Sequence, residues 1–194
     1  MYKPSLPDLP PVSDSVLDEQ YMQLAMDLAG YAAARGEVPI GAVIVRYGAV
    51  IGMGWNCRES KQRATGHAEI MAIEAACAHL GSWRLDHCDL YVTLEPCPMC
   101  AGVIQQSRIR RLIFGTADPK AGAVCSKWQI LDTPNLNHRV IWQSGIRGGA
   151  CRAQLKTFFR ELRRRDKSDE QRLGGRGARR RAAKGGRTDS GGPS

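Results

Sequence analysis

The sequence predicts an α/β protein built on a mixed five-stranded sheet with helices on both faces. Residues 40–45 and 50–55 are two apolar runs joined through Tyr47-Gly48, the composition of a tight β-hairpin. Residues 89–94, a helical stretch to about Gln106, and residues 111–114 follow in the order strand, helix, strand, which requires a parallel crossover. Helical periodicity before, between and after these strands supplies enough apolar faces to cover the sheet on two sides.

The elements follow in chain order. Residues 1–14 are expected to form a mobile arm. Pro4, Pro7, Pro10 and Pro11 break any helix there, and no apolar block makes a secretory signal. Between 18 and 35 Tyr21, Leu24, Ala25, Leu28 and Ala32 recur with the 3.6 period, and Gly36 stands where a helix stops. Thr65-Gly66 is expected to open a second helix carrying Ile70, Ile73, Glu74 and Cys77, closed by Gly81. Pro98 suits the first position of a third helix. A short strand at 139–142 and a helix at 150–165 complete the domain, which spans 15–165. The loop 115–137 holds Asp118, Lys120, Gly122, Asn135 and Asn137, residues that commonly form turns. Residues 166–194 are expected to be a basic, disordered tail, because they offer almost no apolar side chain to bury.

Composition narrows the function classes. A chain of 194 residues, 43% hydrophobic, can bury one proper core, and no run is long enough to cross a membrane. Seven cysteines, an odd number without a regular framework, argue against a secreted disulfide scaffold and for the reducing cytoplasm. Residues 161–194 carry 11 Lys+Arg against 5 Asp+Glu, so most of the net charge of +9 lies at the end of the chain. Such a tail can attract phosphates without reading sequence, or can serve solubility alone. His79, His87 and His138 lack partners at metal spacing and are expected to be surface or structural. Trp83, Trp128 and Trp142 are expected in the core or at a subunit contact.

The chemistry concentrates in two short pieces, Thr65-Gly-His-Ala-Glu-Ile70 and Glu95-Pro-Cys-Pro-Met-Cys100. One imidazole (His67) and two thiols (Cys97, Cys100) are three ligands for a borderline-soft tetrahedral metal such as zinc, and three ligands leave one position open. A water there becomes acidic enough to act as a nucleophile near neutral pH. Two thiolates cancel the charge of Zn²⁺, so the water needs a nearby base, and Glu69 is the candidate, returning the proton later as an acid. Residues i and i+2 diverge on a helix flank, so His67 and Glu69 can share the site only if it lies at a helix end. Glu95 is expected to be structural. Asn56, with a donor and an acceptor on one amide, could read two edge atoms of a purine, or simply form a turn. The arrangement His-x-Glu followed by Pro-Cys-x-x-Cys is the signature of zinc deaminases.

Further pieces extend the match: Glu37-Val-Pro-Ile-Gly-Ala-Val43, Gly54-Trp-Asn56, His67-Ala-Glu-Ile-Met-Ala72, Tyr91-Val-Thr-Leu-Glu-Pro-Cys97, Met99-Cys-Ala-Gly102, Asn137-His-Arg-Val140 and Phe158-Phe-Arg160. With these the chain resembles the bacterial tRNA-specific adenosine deaminases of the cytidine deaminase-like superfamily, over about residues 18–160. The resemblance implies a three-layer α/β/α fold, a homodimer with one zinc per subunit, and hydrolytic conversion of adenosine to inosine at the wobble position (34) of the tRNA anticodon arm. It also implies roles: His67, Cys97 and Cys100 as ligands, Glu69 as proton shuttle and Asn56 as a purine contact. Asp118 and Lys120 fall near the bound nucleotide, and Phe158 and Arg160 on a last helix that meets the anticodon arm.

Two rival readings use the same residues. A structural zinc site would take Cys57, Cys88 or Cys125 as a fourth ligand. A zinc deaminase of free cytosine, guanine or a nucleotide would share the metal pieces but has no evident use for Phe158-Phe-Arg160 and so basic an end.

Overall fold

The computed structural model describes residues 15–184, with side chains described to Arg165 and at Lys167. The expected arm at 1–14 and the last ten residues of the expected tail lie outside the described residues. The order is α1 (Ser15–Ala33), β1 (Gly41–Arg46), β2 (Ala49–Trp55), α2 (Ala68–Leu80), β3 (Cys88–Leu94), α3 (Pro98–Gln106), β4 (Arg111–Thr116), a 3₁₀ turn at Ile130–Asp132, β5 (Ile141–Ser144) and α4 (Gly148–Lys184). The chain divides after Leu155 into two units.

In the first unit the five strands form one sheet in the order β2-β1-β3-β4-β5. β1 is antiparallel to both β2 and β3, while β3, β4 and β5 run parallel. The expected mixed sheet is therefore present. Tyr47 and Gly48 both take positive φ, at 49° and 81°, and link Arg46 to its partner Ala49 as a two-residue turn. Positive φ at both central positions matches the twist of the flanking strands.

Alternation along the central strands divides the core into two layers. Ala42, Ile44, Leu90, Val92, Leu112 and Phe114 face α2 and α3, whose Ala68, Ala72, Ala76, Ala101 and Ile104 pack against them. Val43, Val45, Tyr91 and Ile113 face the other way and meet Met22 and Ala25 of α1 and Cys151 at the start of α4. Both sheet faces are thus buried, which explains why these strands read as continuous apolar runs. Gly52 and Gly54 let α2 lie directly on β2. A Cβ at either would run into the carbonyl oxygen of Ala72 or Ala68. This close approach sets where α2 begins, and so where His67 stands.

Three expectations shift. β5 starts two residues later than the sequence pattern suggests. Val140, just ahead of it, is the buried residue, and the edge strand itself is largely exposed, without alternation to mark it. Trp83 and Trp128 are 61% and 43% exposed, so neither is in the core of this chain, whereas Trp142 packs on the core and donates from Nε1 to Asp132. The sequence pattern ends the last helix near Arg165, and the backbone is helical to Lys184.

Candidate active site

The two pieces that carry the chemistry meet on the α2/α3 side of the sheet. His67 is itself the N-cap of α2, with φ −83° and ψ 148°, and Cys97 is the N-cap of α3, with φ −75° and ψ 172°. Thr65 therefore does not cap α2 as the sequence suggested. The His67 side chain makes no capping hydrogen bond to its own helix, and the Cys97 sulfur meets Cys100 within α3. Each is turned toward the other. The carbonyls of both N-caps still accept the first helical bond, from Met71 (3.0 Å) and Ala101 (2.9 Å). Pro98 fills the first position of α3 as expected, and one turn brings Cys100 round to the same point.

Nδ1 of His67 lies 3.6 Å from each of the two sulfurs. The three donor atoms are all within 4.8 Å of one another, and the group contains none of Cys57, Cys88 and Cys125. Cys100 is buried, and the other two are half-buried. The two thiols are shifted in opposite directions. Cys97 is drawn down to about 4, first by the hydrogen bond from Cys100 and then by His67, while the same bond and burial push Cys100 up. His67 is raised in turn, chiefly by its bond to Cys97. Thiolate formation at the starts of two helices is what the helix dipole favours. A soft, half-buried donor set of this kind fits a zinc ion and leaves a position for water.

Glu69, in the first turn of α2, is 3% exposed. Burial first, and the charge of Cys97 after it, raise its pKa, and its carboxyl group is near enough to Cys100 to accept from the thiol. A carboxyl group kept from water, with its pKa raised, is suited both to take and to return a proton.

The segment 118–126 is fastened to the metal-ligand segment by Glu95. Its buried carboxylate accepts from the backbone N–H groups of Asp118 (3.0 Å), Val124 (3.1 Å), Cys125 (2.8 Å) and Ser126 (2.9 Å), and from the Ser126 hydroxyl. Against the effect of burial, these bonds hold Glu95 down at about 2. Ala123 N–H adds a bond to Pro96 C=O at 2.8 Å. Glu95 is structural, as the sequence reading has it. On this loop Asp118 is half-buried and turns one carboxylate oxygen to the N–H of Lys120 (2.9 Å), while Lys120 is exposed.

Asn56 follows β2 directly. It is 7% exposed, and the next residue, Cys57, donates to the carbonyl of Gly66, immediately before His67, at 2.9 Å. The sequence reading assigned no role to Glu37, whose carboxylate binds this segment. The signal was a charged residue set directly against an apolar strand, where burial forces it to find partners. Phe158 and Arg160 lie on the part of α4 in the second unit. There Phe158 meets Phe159 edge to face at 5.5 Å, and Arg160 donates to Thr157 at 3.4 Å.

A mixed sheet between helical layers, with a His-Cys-Cys donor set at two helix starts and a buried carboxyl beside it, defines a deaminase of the cytidine deaminase-like fold. The chain matches the family model of the MafB19-like deaminases over residues 17–163. It is 45% identical over 156 residues to a tRNA-specific adenosine deaminase of Bacillus subtilis (strain 168), covering 80% of this chain and 97% of that protein. A solved tRNA:A34 deaminase, an enzyme of A-to-I editing at the wobble position of transfer RNA, superposes with a TM-score of 0.68. It is 45% identical and covers 70% of this chain and 99% of that one. A guanine deaminase from Bacillus subtilis is further off, at 32% identity and a TM-score of 0.50, with 64% of this chain and 83% of that one covered. The chain belongs to the tRNA-specific adenosine deaminase family.

Proposed function

We infer that this chain hydrolyses adenosine to inosine at the wobble position of tRNA, with zinc held by His67, Cys97 and Cys100. The observation that carries the reading is the convergence of those three donor atoms within 4.8 Å, beside the buried Glu69. A zinc ion bound there supplies Lewis-acid activation of a water. Glu69 takes a proton from that water as its oxygen bonds to C6 of adenine, and passes the proton to the ring nitrogen N1. The second proton of the water follows by the same carboxyl group to the 6-amino nitrogen. The C6–N bond then breaks, and ammonia leaves inosine behind. The positive ends of α2 and α3 favour the negative charge that gathers at the site during attack.

Asn56 is the contact to the purine in this reading, and Asp118 and Lys120 approach the nucleotide from the loop that Glu95 fastens. Phe158 and Arg160 meet the anticodon arm, whose bases are already unpaired and cheapest to turn out of the stack. The family resemblance supports a homodimer with one zinc per subunit. Free thiols at all seven cysteines, and a tRNA substrate, support a cytoplasmic location.

The test compares substrates. Purified protein is incubated with an anticodon stem-loop carrying adenosine at the wobble position, with free adenosine and with free guanine. Inosine confined to the stem-loop is the expected result. Turnover of a free base or nucleoside alone overturns the assignment.

A further inference from the structure

Glu37 stands outside the metal-site chemistry, yet it is only 2% exposed, in the turn before β1. Its Oε1 accepts the N–H of Ser60 at 2.6 Å. Its Oε2 accepts the N–H of Glu59 and the side-chain Nδ2 of Asn56, each at 3.3 Å. Burial works to raise its pKa, but the bonds from Ser60 and Glu59 outweigh burial and hold the carboxyl below the ordinary carboxylate range. The group is therefore ionised at neutral pH, and an ionised carboxylate only accepts.

That chemistry decides which end of the Asn56 amide is which, a question the shape of the side chain leaves open. An acceptor-only neighbour requires the NH₂ end, so the carbonyl oxygen of Asn56 is turned away from Glu37. One N–H of the amide and its Oδ1 have no partner among the described residues. The backbone holds the pair in place: Asn56 N–H bonds to Ile40 C=O at 2.9 Å, and Cys57 N–H to Gly66 C=O at 2.9 Å. The amide is thus fixed at both the main chain and the side chain, one residue from a segment that leads directly into His67.

We propose that Glu37 is a positioning residue for base recognition, holding the Asn56 amide so that its free N–H meets N7 and its carbonyl oxygen meets the 6-amino group of the target adenine. The proposal rests on Asn56 being the purine contact. Adenine presents one acceptor and one donor on that edge, the complement of an amide in this orientation. The flipped amide would set oxygen against N7 and NH₂ against NH₂, two repulsive pairs. Glu37 forbids that flip, and so contributes to selection of adenine without touching it.

The test uses two anticodon stem-loops, one with adenosine at the wobble position and one with 7-deazaadenosine, which lacks the N7 acceptor. Each is measured with the zinc-loaded wild-type protein and with Glu37→Gln, whose amide can donate as well as accept and so leaves Asn56 free to turn. The ratio of variant to wild type on each substrate cancels the intrinsic reactivity of the base. The expected result is a fall in kcat/KM of about tenfold on adenosine and a clearly smaller fall on 7-deazaadenosine, where the N7 half of the two-point contact is already missing and only the contact to the 6-amino group remains to be lost. Equal slowing on both substrates, or slowing on neither, overturns the proposal. Glu37→Asp, which keeps the acceptor but shortens its reach, is the second variant should Glu37→Gln not fold. Its loss is expected to be smaller and again greater on adenosine, and uniform slowing again counts against the role. Failure of the wild-type protein on the adenosine stem-loop would instead sink the functional reading.

Discussion

Asp18, in the first turn of α1, and Arg111, at the start of β4, form a buried ion pair between residues 93 apart in the chain. Their side chains are 2% and 5% exposed. The Tyr91 hydroxyl donates to Asp18 at 2.6 Å and accepts from Arg111 at 2.8 Å, and Asp89 stands 3.3 Å from Nε of the same guanidinium. The cluster ties α1 to the middle of the sheet, on the side away from α2 and α3.

Because both charges are out of water, removing Asp18 leaves the buried Arg111 with Asp89 alone as its carboxylate partner. Asp18→Ala is expected to lower stability by about 3–5 kcal/mol, read from urea denaturation midpoints. Replacing the pair together, Asp18→Leu with Arg111→Met, is expected to cost less than Asp18→Ala alone. A double variant weaker than the single one would show that the cluster stabilises through shape and not through charge compensation.

Glu69→Gln should separate folding and metal binding from turnover. The amide keeps the size of the side chain but cannot carry the proton, so activity on the wobble-adenosine stem-loop is expected to fall at least ~10²–10⁴-fold. Zinc content by atomic absorption and the melting temperature are expected to stay near wild type. Retained activity would remove Glu69 from the chemistry and return the donor set to a structural role.

For Glu95 the expected signature is in the pH dependence of stability. Its folded-state pKa of about 2 lies below the ordinary 4.5, so its contribution is full above pH 4.5 and declines as pH falls toward 2. Wild type and Glu95→Gln compared by denaturant unfolding from pH 7 to pH 3 should converge on the acid side. The gap at neutral pH is expected to reach up to about 3 kcal/mol. A gap independent of pH would mean that the carboxylate charge is not what holds residues 118–126.

The sequence shows the hairpin at Tyr47-Gly48, the crossover and the ligand set plainly, because each is a local pattern with a local cause. Positive φ suits Gly48, Pro98 starts a helix, and Cys-x-x-Cys spans one turn. Partnerships across long stretches of chain are not visible in that way. Nothing local in Glu37, Asp18 or Arg111 says which residue will satisfy it, and a buried charge looks like any exposed one until its partner is known. For Trp83 and Trp128 the sequence left core and subunit contact open, and within this chain both are exposed. Both lie in loops, where no helical or strand period marks which face a side chain takes. The start of β5 was blurred because an exposed edge strand has no buried face to impose alternation.

Strand order also shapes the birth of the molecule. β3 occupies the centre of the sheet, yet it is synthesised after α1, the hairpin and α2, so a growing chain carries β1 with one edge bare until residues 88–94 emerge. His67 likewise waits for sulfur partners that appear 30 and 33 positions later. Ribosomes stalled before Leu94 would release a sticky half-sheet that lacks a complete metal cradle, which makes truncated products of this chain natural clients for chaperones and proteases.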